Sequence, residues 1–261
     1  MQTPISLYDY YEEYKGKYKS KSQLVRVISE SWFKDNMYCP FCTNEKIKSY
    51  ENNYPVADFF CNNCGEKFQL KSKKKTIGNI IVDGEYNKMI QAIYSYSVPN
   101  FFFMSYSPMF DYIIELIIVP KEFILPGIIK KRKPLSQRAK RRGWTGCNIS
   151  LKEIPYSGKI YLIKDKNVIP ASHVLKNIQK VSYYRKIKNV DQRGWLADIL
   201  NILMKINKDI FTLKDVYNYI PYLKVLHPQN NNIEAKIRQQ LQILRNNNVI
   251  EFLGKGVYRK L

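Results

Sequence analysis

The sequence lacks the features that mark several common classes of protein. No apolar run approaches the roughly 18 residues that a membrane-spanning helix needs, and the first segment, MQTPISLYDYYEEY, is too polar and acidic for a secretory signal. Only two histidines are present, His173 and His227, and neither has a metal-binding or nucleophilic partner nearby in the sequence. No serine-centred triad, phosphate-binding glycine-rich loop or internal repeat is found. We therefore expect a cytoplasmic protein whose chemistry rests on other residues.

Acidic residues are scarce relative to basic ones. The chain of 261 residues has 43 Lys and Arg against 22 Asp and Glu, a formal net charge of +21. So large an excess indicates a polyanionic partner. A lysine-rich proteome with A/T-rich codons would also raise the lysine content, but it does not explain the local clustering of basic residues. Binding to a membrane surface is less favoured, because no basic amphipathic helix stands alone.

The cysteines occur in a pattern that favours metal over disulfide bonds. Four of the five form two CxxC pairs, Cys39 with Cys42 and Cys61 with Cys64, separated by residues 43–60. Each pair can place two thiolates on one ion, and the two pairs together supply the tetrahedral Cys₄ set of structural zinc. A redox pair is a weaker alternative. Cys147 stands alone and is expected to be a buried strand residue.

An acid and a base flank the second cysteine pair. In PVADFFCNNCGEKFQLK, Asp58 precedes the CNNC knuckle, and Gln69 and Lys71 follow it. Residues i and i+2 of a strand face the same side, so Gln69 and Lys71 should project together. An antiparallel turn centred between residues 63 and 64 would place Asp58 opposite Gln69. Zinc at the turn would then hold the three side chains on one face.

Such a face suits hydrolysis of a phosphodiester bond. Asp58, the side-chain carbonyl of Gln69 and the backbone carbonyl of Leu70 would bind Mg²⁺, which accepts such oxygens and keeps several waters. Lys71 would orient an attacking water and stabilise the charge of the transition state. Asp58, Gln69 and Lys71 are thus the candidate catalytic residues. The alternative, a surface pair of Asp and Lys on neighbouring strands, stays open on spacing alone.

The remaining pattern before residue 185 predicts an α/β domain. Helices are expected up to about residue 38 and over Glu85–Ser95, followed by apolar strands at about 101–106 and 112–119. CNISL and GKIYLIKD are expected to be late strands of the same sheet. The segment 165–192, rich in Lys, Asn and Ser, is expected to be a connector.

From Gly194 the pattern is typical of a winged helix-turn-helix domain, with three helices followed by two short strands around Gly254-Lys255-Gly256. Thr212 is the expected N-cap of the second helix, with Asp215 at its third position. Third helices of such domains enter the major groove of DNA. The candidate contacts on its outer side and at the tip of the wing are Glu234, Lys236, Arg238, Gln239, Gln242 and Lys255. A protein–protein winged helix, with these residues merely solvated, is the alternative.

A second candidate contact with DNA is the acid-free segment KKRKPLSQRAKRRGW (130–144), expected to be a loop. Lys140, Arg141 and Arg142 would neutralise phosphates. Trp144 could contact DNA with its apolar ring, or simply anchor the loop to the core.

Several segments together resemble a known family. PVAD followed by QLK resembles the PD-(D/E)xK nuclease signature. YCPFC, ENNYPVADFFCNNC, FQLKSKK, NFFFMSY, RRGWTGCNI and IRQQLQILRNNNVIEFLGKGVYRKL resemble the DpnI type of restriction endonuclease over nearly the full length. The resemblance implies a PD-(D/E)xK nuclease domain over 1–185, with a zinc element inserted at 39–64, and a DNA-binding winged helix over 186–261. It also implies cleavage of double-stranded DNA at GATC when the adenine is N6-methylated.

One position departs from the family pattern. An acid is expected where this chain has Gln69, and its loss weakens magnesium binding in principle. Glu66 should face the opposite side of the strand, and is a poor substitute. Glu30, on the N-terminal helix, is a candidate supplementary carboxylate.

The residues and the resemblance together imply a monomeric, bacterial, Mg²⁺-dependent type II restriction endonuclease with structural zinc. Two other interpretations stay open: a regulator that binds methylated DNA through a decayed nuclease site, and a related nuclease with a different target.

Overall fold

The computed structural model describes residues 5–51 and 57–261. Pro55 and Val56 of the PVAD segment lie outside the described residues. The chain divides into two compact units, with the boundary between Ser182 and Tyr183. Within the described residues, no helix is long and apolar enough to cross a membrane.

The first unit is built on a mixed sheet. Its order within the described residues is β1 (Lys48–Ser49), β2 (Phe59–Phe60), β3 (Lys67–Lys74), β5 (Asn100–Tyr106), β6 (Ile113–Val119), β9 (Ile160–Lys164) and β10 (Asn167–Val168). Strands β3 and β5 run parallel, and the other pairs are antiparallel. Every residue of β5 is buried, as expected for the apolar run NFFFMSY in a sheet covered on both faces.

The described part of the first unit also contains four α-helices. They are α1 (Tyr8–Tyr14), α2 (Lys21–Asn36), α3 (Tyr86–Tyr94) and α4 (Ala171–Lys180). In α2, the ring of Phe33 lies 4.6 Å from that of Phe59 and 4.7 Å from that of Phe102, measured between centroids. These contacts fix α2 against β2 and β5. Short 3₁₀ helices span Lys121–Phe123, Pro126–Ile128, Leu151–Glu153, Tyr156–Gly158 and Ser182–Lys186.

A second, three-stranded sheet corrects one prediction. It has the order β4 (Ile80–Glu85), β8 (Gly146–Ser150) and β7 (Ile129–Lys131). CNISL forms β8 here, whereas GKIYLIKD forms β9 of the main sheet, so placing both in one sheet was wrong. The alternation of apolar and polar residues identifies a strand but does not identify the strand that it pairs with. Strand β8 pairs with β4, which is distant in sequence, rather than with β9.

The predicted connector over 165–192 was also wrong, since it contains α4. Val174 and Ile178 lie one helical turn apart and are buried. The polar residues around them obscured this short apolar stripe, which is enough to hold the helix against β9.

The second unit is a winged helix. Its elements are α5 (Val190–Lys205), β11 (Ile210–Thr212), α6 (Leu213–Tyr217), α7 (Ile220–Leu226), α8 (Ile233–Asn246), β12 (Ile250–Gly254) and β13 (Val257–Lys260). The strands form a sheet in the order β11-β13-β12. The predicted stripe of α8 is buried at Ile233, Ile237, Leu241 and Leu244.

Local signals in this unit behave as predicted. Thr212 and Asp215 form a reciprocal capping box at the start of α6. The wing turns at Gly254, Lys255 and Gly256, whose φ angles of 99°, 49° and 75° explain the two glycines. The predicted fold class, a mixed α/β nuclease-type domain with a Cys₄ element and a C-terminal winged helix, is confirmed.

Candidate active site, zinc site and DNA contacts

The four paired cysteines converge on one point. The Sγ atoms of Cys39 and Cys64, and those of Cys42 and Cys61, lie 3.6 Å apart, and all four lie within 4.8 Å of one another. A disulfide would need about 2.05 Å between the sulfurs. Four thiolates at about 2.3 Å from a tetrahedral zinc are separated by about 3.8 Å. The cluster therefore has the dimensions of a closed zinc site, with no position left open for chemistry.

Backbone hydrogen bonds shape both knuckles. The Thr43 N–H donates to the Cys39 carbonyl at 2.8 Å, and the Gly65 N–H donates to the Cys61 carbonyl at 2.9 Å. Both Thr43 and Gly65 have a positive φ, which the glycine accommodates without strain. The two knuckles are thus matching tight turns, each of which aims its thiols at the same site.

The second knuckle is the turn of the hairpin between β2 and β3. Phe59 pairs with Phe68, and Phe60 pairs with Lys67. One step further, the Asp58 N–H donates to the Phe68 carbonyl at 2.9 Å. The register agrees with the one predicted from the sequence, with Asp58 opposite Gln69.

The hairpin brings the three candidate catalytic residues to one cleft. In β3, Phe68 and Leu70 are buried, whereas Gln69 and Lys71 are half-buried on the other face. Asp58, Gln69 and Lys71 all line a cleft of about 1040 Å³. In the part of the chain that the structure describes, no group of three or more carboxylates is clustered as tightly as the four cysteines.

Asp58 is fixed by the strand that it faces. Its Oδ2 accepts the Leu70 N–H at 2.9 Å. The N–H and C=O of a strand residue point the same way, so the Leu70 carbonyl also lies on the side of Asp58. Burial raises the pKa of the Asp58 carboxyl, while the Leu70 N–H and the charge of Lys71 oppose that rise. Asp58 and the carbonyls of Gln69 and Leu70 are oxygen donors of the kind that suits Mg²⁺.

Lys71 has a partner that the sequence reasoning missed. Its Nζ lies 2.5 Å from the Oδ1 of Asp83, on β4 of the second sheet. The side chain of Asp83 is only 4 % exposed. The signal in the sequence was a single acid in IIVDG, on the same face of the strand as the buried Ile81.

Glu30 also lines the cleft, on α2. Arg26 Nε donates to Glu30 Oε1 at 2.6 Å. Burial raises the pKa of the Glu30 carboxyl, and the Arg26 hydrogen bond opposes it. Glu66 lies elsewhere, where Oε2 accepts the side-chain amide of Asn100 at 2.9 Å and pairs with Lys121 Nζ at 3.3 Å. It is not among the residues of the cleft.

The basic loop connects β7 to β8. Lys140, Arg141 and Arg142 are exposed, and Trp144 is half-buried. The guanidinium of Arg141 lies 4.8 Å from the centroid of the Trp144 indole. A Cβ on Gly146 would come within 2.9 Å of that ring. The indole is therefore packed down on the start of β8, which anchors the loop, while part of it stays accessible.

The candidate contacts of the winged helix lie on its surface. Glu234, Arg238, Gln239, Gln242 and Lys255 are exposed, and Lys236 is half-exposed. Arg238 donates to the Tyr217 hydroxyl at 2.5 Å, and Gln242 Nε2 donates to Asn246 Oδ1 at 2.6 Å. These two side chains are thus held in place on the outer face of α8.

The sequence suggests no chemical role for Cys147, His173 or His227. Cys147 is buried on β8, where burial raises its pKa to about 11. The ring of His227 stacks on that of Trp195 at 3.7 Å, and its Nε2 lies 2.8 Å from Asp198 Oδ2. His173 lies in α4, in its first turn.

Comparison with known families covers nearly the whole chain. Residues 8–187 match the family described as DpnI, the Dam-replacing family. Residues 191–260 match its C-terminal domain, described as the Dam-replacing HTH domain. Membership implies a DNA-binding nuclease of the methylation-dependent restriction type. The chain belongs to the DpnI, or Dam-replacing, family.

Proposed function

We propose that this chain is a Mg²⁺-dependent type II restriction endonuclease that hydrolyses double-stranded DNA at GATC sites carrying N6-methyladenine. One observation carries the proposal. The zinc-knuckle hairpin of a DpnI-family chain presents Asp58, Gln69 and Lys71 together in one cleft. We place the protein in the bacterial cytoplasm, and propose that it acts as a monomer.

The proposed chemistry divides among the three residues. Asp58, with the carbonyls of Gln69 and Leu70, would hold Mg²⁺, which in such sites is bound through one or two carboxylates together with the substrate phosphate. Bound Mg²⁺ would make an attacking water more acidic and stabilise the developing charge on the phosphate. Lys71 would orient that water through Nζ–H and place its positive charge near the transition state. Cys39, Cys42, Cys61 and Cys64 would hold a structural zinc outside the reaction.

Recognition of DNA is proposed to use two surfaces. On the winged helix, Gln239 and Gln242 could pair with adenine, Arg238 with guanine or phosphate, and Lys236 and Lys255 with phosphates. On the β7–β8 loop, Lys140, Arg141 and Arg142 would contact the backbone. The accessible part of the Trp144 indole offers an apolar surface for the adenine methyl group.

The active-site assignment can be tested by removing its charged groups. We expect Asp58→Asn and Lys71→Met to reduce cleavage of methylated DNA by on the order of 10³-fold, with the DNA dissociation constant unchanged. Lys67→Met is the matched control, because it removes a lysine from the same strand outside the cleft. Wild-type cleavage rates in the Asp58 or Lys71 variants would contradict the assignment.

A second candidate function is favoured by Gln69. With a neutral amide where the family has an acid, the cleft loses one carboxylate, and the chain could serve as a non-catalytic regulator that binds methylated DNA. That reading predicts methylation-dependent binding in a gel-shift assay and no cleavage at any Mg²⁺ concentration. A related nuclease with a different target would instead cut DNA without regard to GATC methylation.

A further inference from the structure

Asp83 is a buried acid that the proposed chemistry does not use. It lies on β4, in the second sheet, with its backbone opposite Cys147 of β8. Its side chain is 4 % exposed and its Oδ1 lies 2.5 Å from Lys71 Nζ, on β3 of the main sheet. The ion pair therefore joins the two sheets at the point where the candidate catalytic lysine enters the cleft.

Burial of this ion pair has a cost in free energy. A carboxylate taken out of water is costly unless a partner compensates for the lost hydration. The lysine side chain is flexible and loses considerable rotamer entropy when it is held in one place. Because Lys71 itself is only 23 % exposed, the short contact with Asp83 determines where its ammonium group lies before any substrate binds.

The pairing also leaves Asp58 available. In the cleft, Lys71 pairs with Asp83, and Arg26 pairs with Glu30. Asp58 accepts the Leu70 N–H, and within residues 5–51 and 57–261 it forms no ion pair with a basic side chain. If Asp83 were neutral, Lys71 would be free to turn toward Asp58, whose carboxyl lies within reach of the charge of Lys71, and compete with a cation there.

We propose that Asp83 is a positioning residue of the nuclease site, which acts through Lys71 by holding its ammonium group in place and away from Asp58. It contacts neither DNA nor the cation. This inference rests on the proposed nuclease function.

The first test is a kinetic series at position 83, measured as single-turnover cleavage of methylated DNA at saturating enzyme. We expect Asp83→Asn to cut about 10- to 100-fold more slowly, with an unchanged dissociation constant for DNA in EDTA. Asp83→Glu, which keeps the charge, should recover part of the rate. Glu66→Gln is the matched control, because it breaks another shielded lysine–carboxylate pair outside the cleft, and it should cut like the wild type.

Two results would overturn the proposal. One is a wild-type cleavage rate in Asp83→Asn. The other is a parallel loss of cleavage, DNA affinity and thermal stability in both Asp83→Asn and Glu66→Gln, which would show a general structural effect.

A second test does not depend on cleavage. It compares the thermal midpoints of unfolding of the wild type, Lys71→Met, Asp83→Asn and the double variant. Each single change leaves one buried charge unpaired, so we expect the double variant to melt higher than the sum of the single effects predicts. Additive effects would overturn the inference. If the variants show this coupling but the wild type cuts no DNA, the ion pair is supported and the proposed nuclease function is contradicted.

Discussion

At the scale of single residues, the cleft follows from strand alternation and from one tight turn. Gln69 and Lys71 share a face because they are two residues apart on β3, and Asp58 faces them because the CNNC knuckle fixes the register. Both signals are local, so the sequence was sufficient to predict them. The pairing of Asp83 with Lys71 could not be predicted, because the two residues belong to different sheets and their distance depends on tertiary packing.

The amide at position 69 yields the most specific prediction at this scale. We expect Gln69→Glu to lower the Mg²⁺ concentration for half-maximal cleavage by about tenfold, because a second carboxylate strengthens a site for a hard cation. The measurement is a Mg²⁺ titration of cleavage by the wild type and the variant in parallel. Gln137→Glu, on the exposed part of the basic loop, is a control for the added charge. An unchanged or higher Mg²⁺ requirement in Gln69→Glu would show that residue 69 does not contact the cation.

At the scale of elements, the second CxxC knuckle forms the turn of the β2–β3 hairpin. Strand β2 spans only Phe59–Phe60, and β1 only Lys48–Ser49. Such short strands gain little from backbone pairing alone, so the cluster of four cysteines is expected to supply the stability that places Asp58 opposite Gln69.

Removal of zinc should therefore abolish cleavage, although the zinc itself takes no part in the reaction. We expect the purified chain to contain one zinc ion, and Cys61→Ser to lose it, with a lower thermal midpoint and no cleavage. Metal content by mass spectrometry and melting by circular dichroism test this. Cys147→Ala should keep its zinc. A zinc-free wild type with full activity would contradict the role of the cluster.

The start of α6 gives a second prediction at this scale. Hydrogen bonds from the backbone N–H and the hydroxyl of Thr212, and from Lys208, lower the pKa of Asp215 to about 2. Because the pKa is lower in the folded state than in the unfolded chain, the cap stabilises the winged helix above about pH 4. That contribution is lost as the pH falls from about 4 to about 2.

Asp215→Ala should accordingly cost about 1 kcal/mol of unfolding free energy at pH 7, and much less at pH 2. Chemical denaturation at the two pH values measures it. Asp209→Asn is the control, since in the described structure that exposed acid contributes only a backbone carbonyl to the hydrogen bond from Lys260. An equal cost at both pH values would show that the charge of Asp215 does not matter.

The sequence predicted the helices and strands better than it predicted which strands pair with one another. The helix around Glu85–Ser95, the strands of NFFFMSY and IIELIIV, and the winged helix each carry a strong periodic or capping signal. Helix α4 was missed because its apolar stripe is short. Strand β8 was assigned to the wrong sheet because pairing between distant segments is decided by packing, which leaves no trace in local alternation.

At the scale of the whole molecule, the charge of +21 should dominate the affinity for DNA. We expect the association constant to fall by about 10³-fold or more between 50 and 200 mM salt, as for proteins that make six or more phosphate contacts. Lys140→Met should reduce the slope against log salt by about one. Lys152→Met, on an exposed lysine outside the loop, should leave the slope unchanged. Affinity that is insensitive to salt would contradict a role for the basic residues in binding phosphates.

The central claim combines cleavage with dependence on methylation, and one digestion tests both. A plasmid is prepared from a host that methylates adenine in GATC and from a host that does not, and each is incubated with Mg²⁺ and either the wild type or Asp58→Asn. We predict that the wild type cuts only the methylated plasmid, and that the variant cuts neither. Cutting of both plasmids by the wild type, or of neither, would contradict the account.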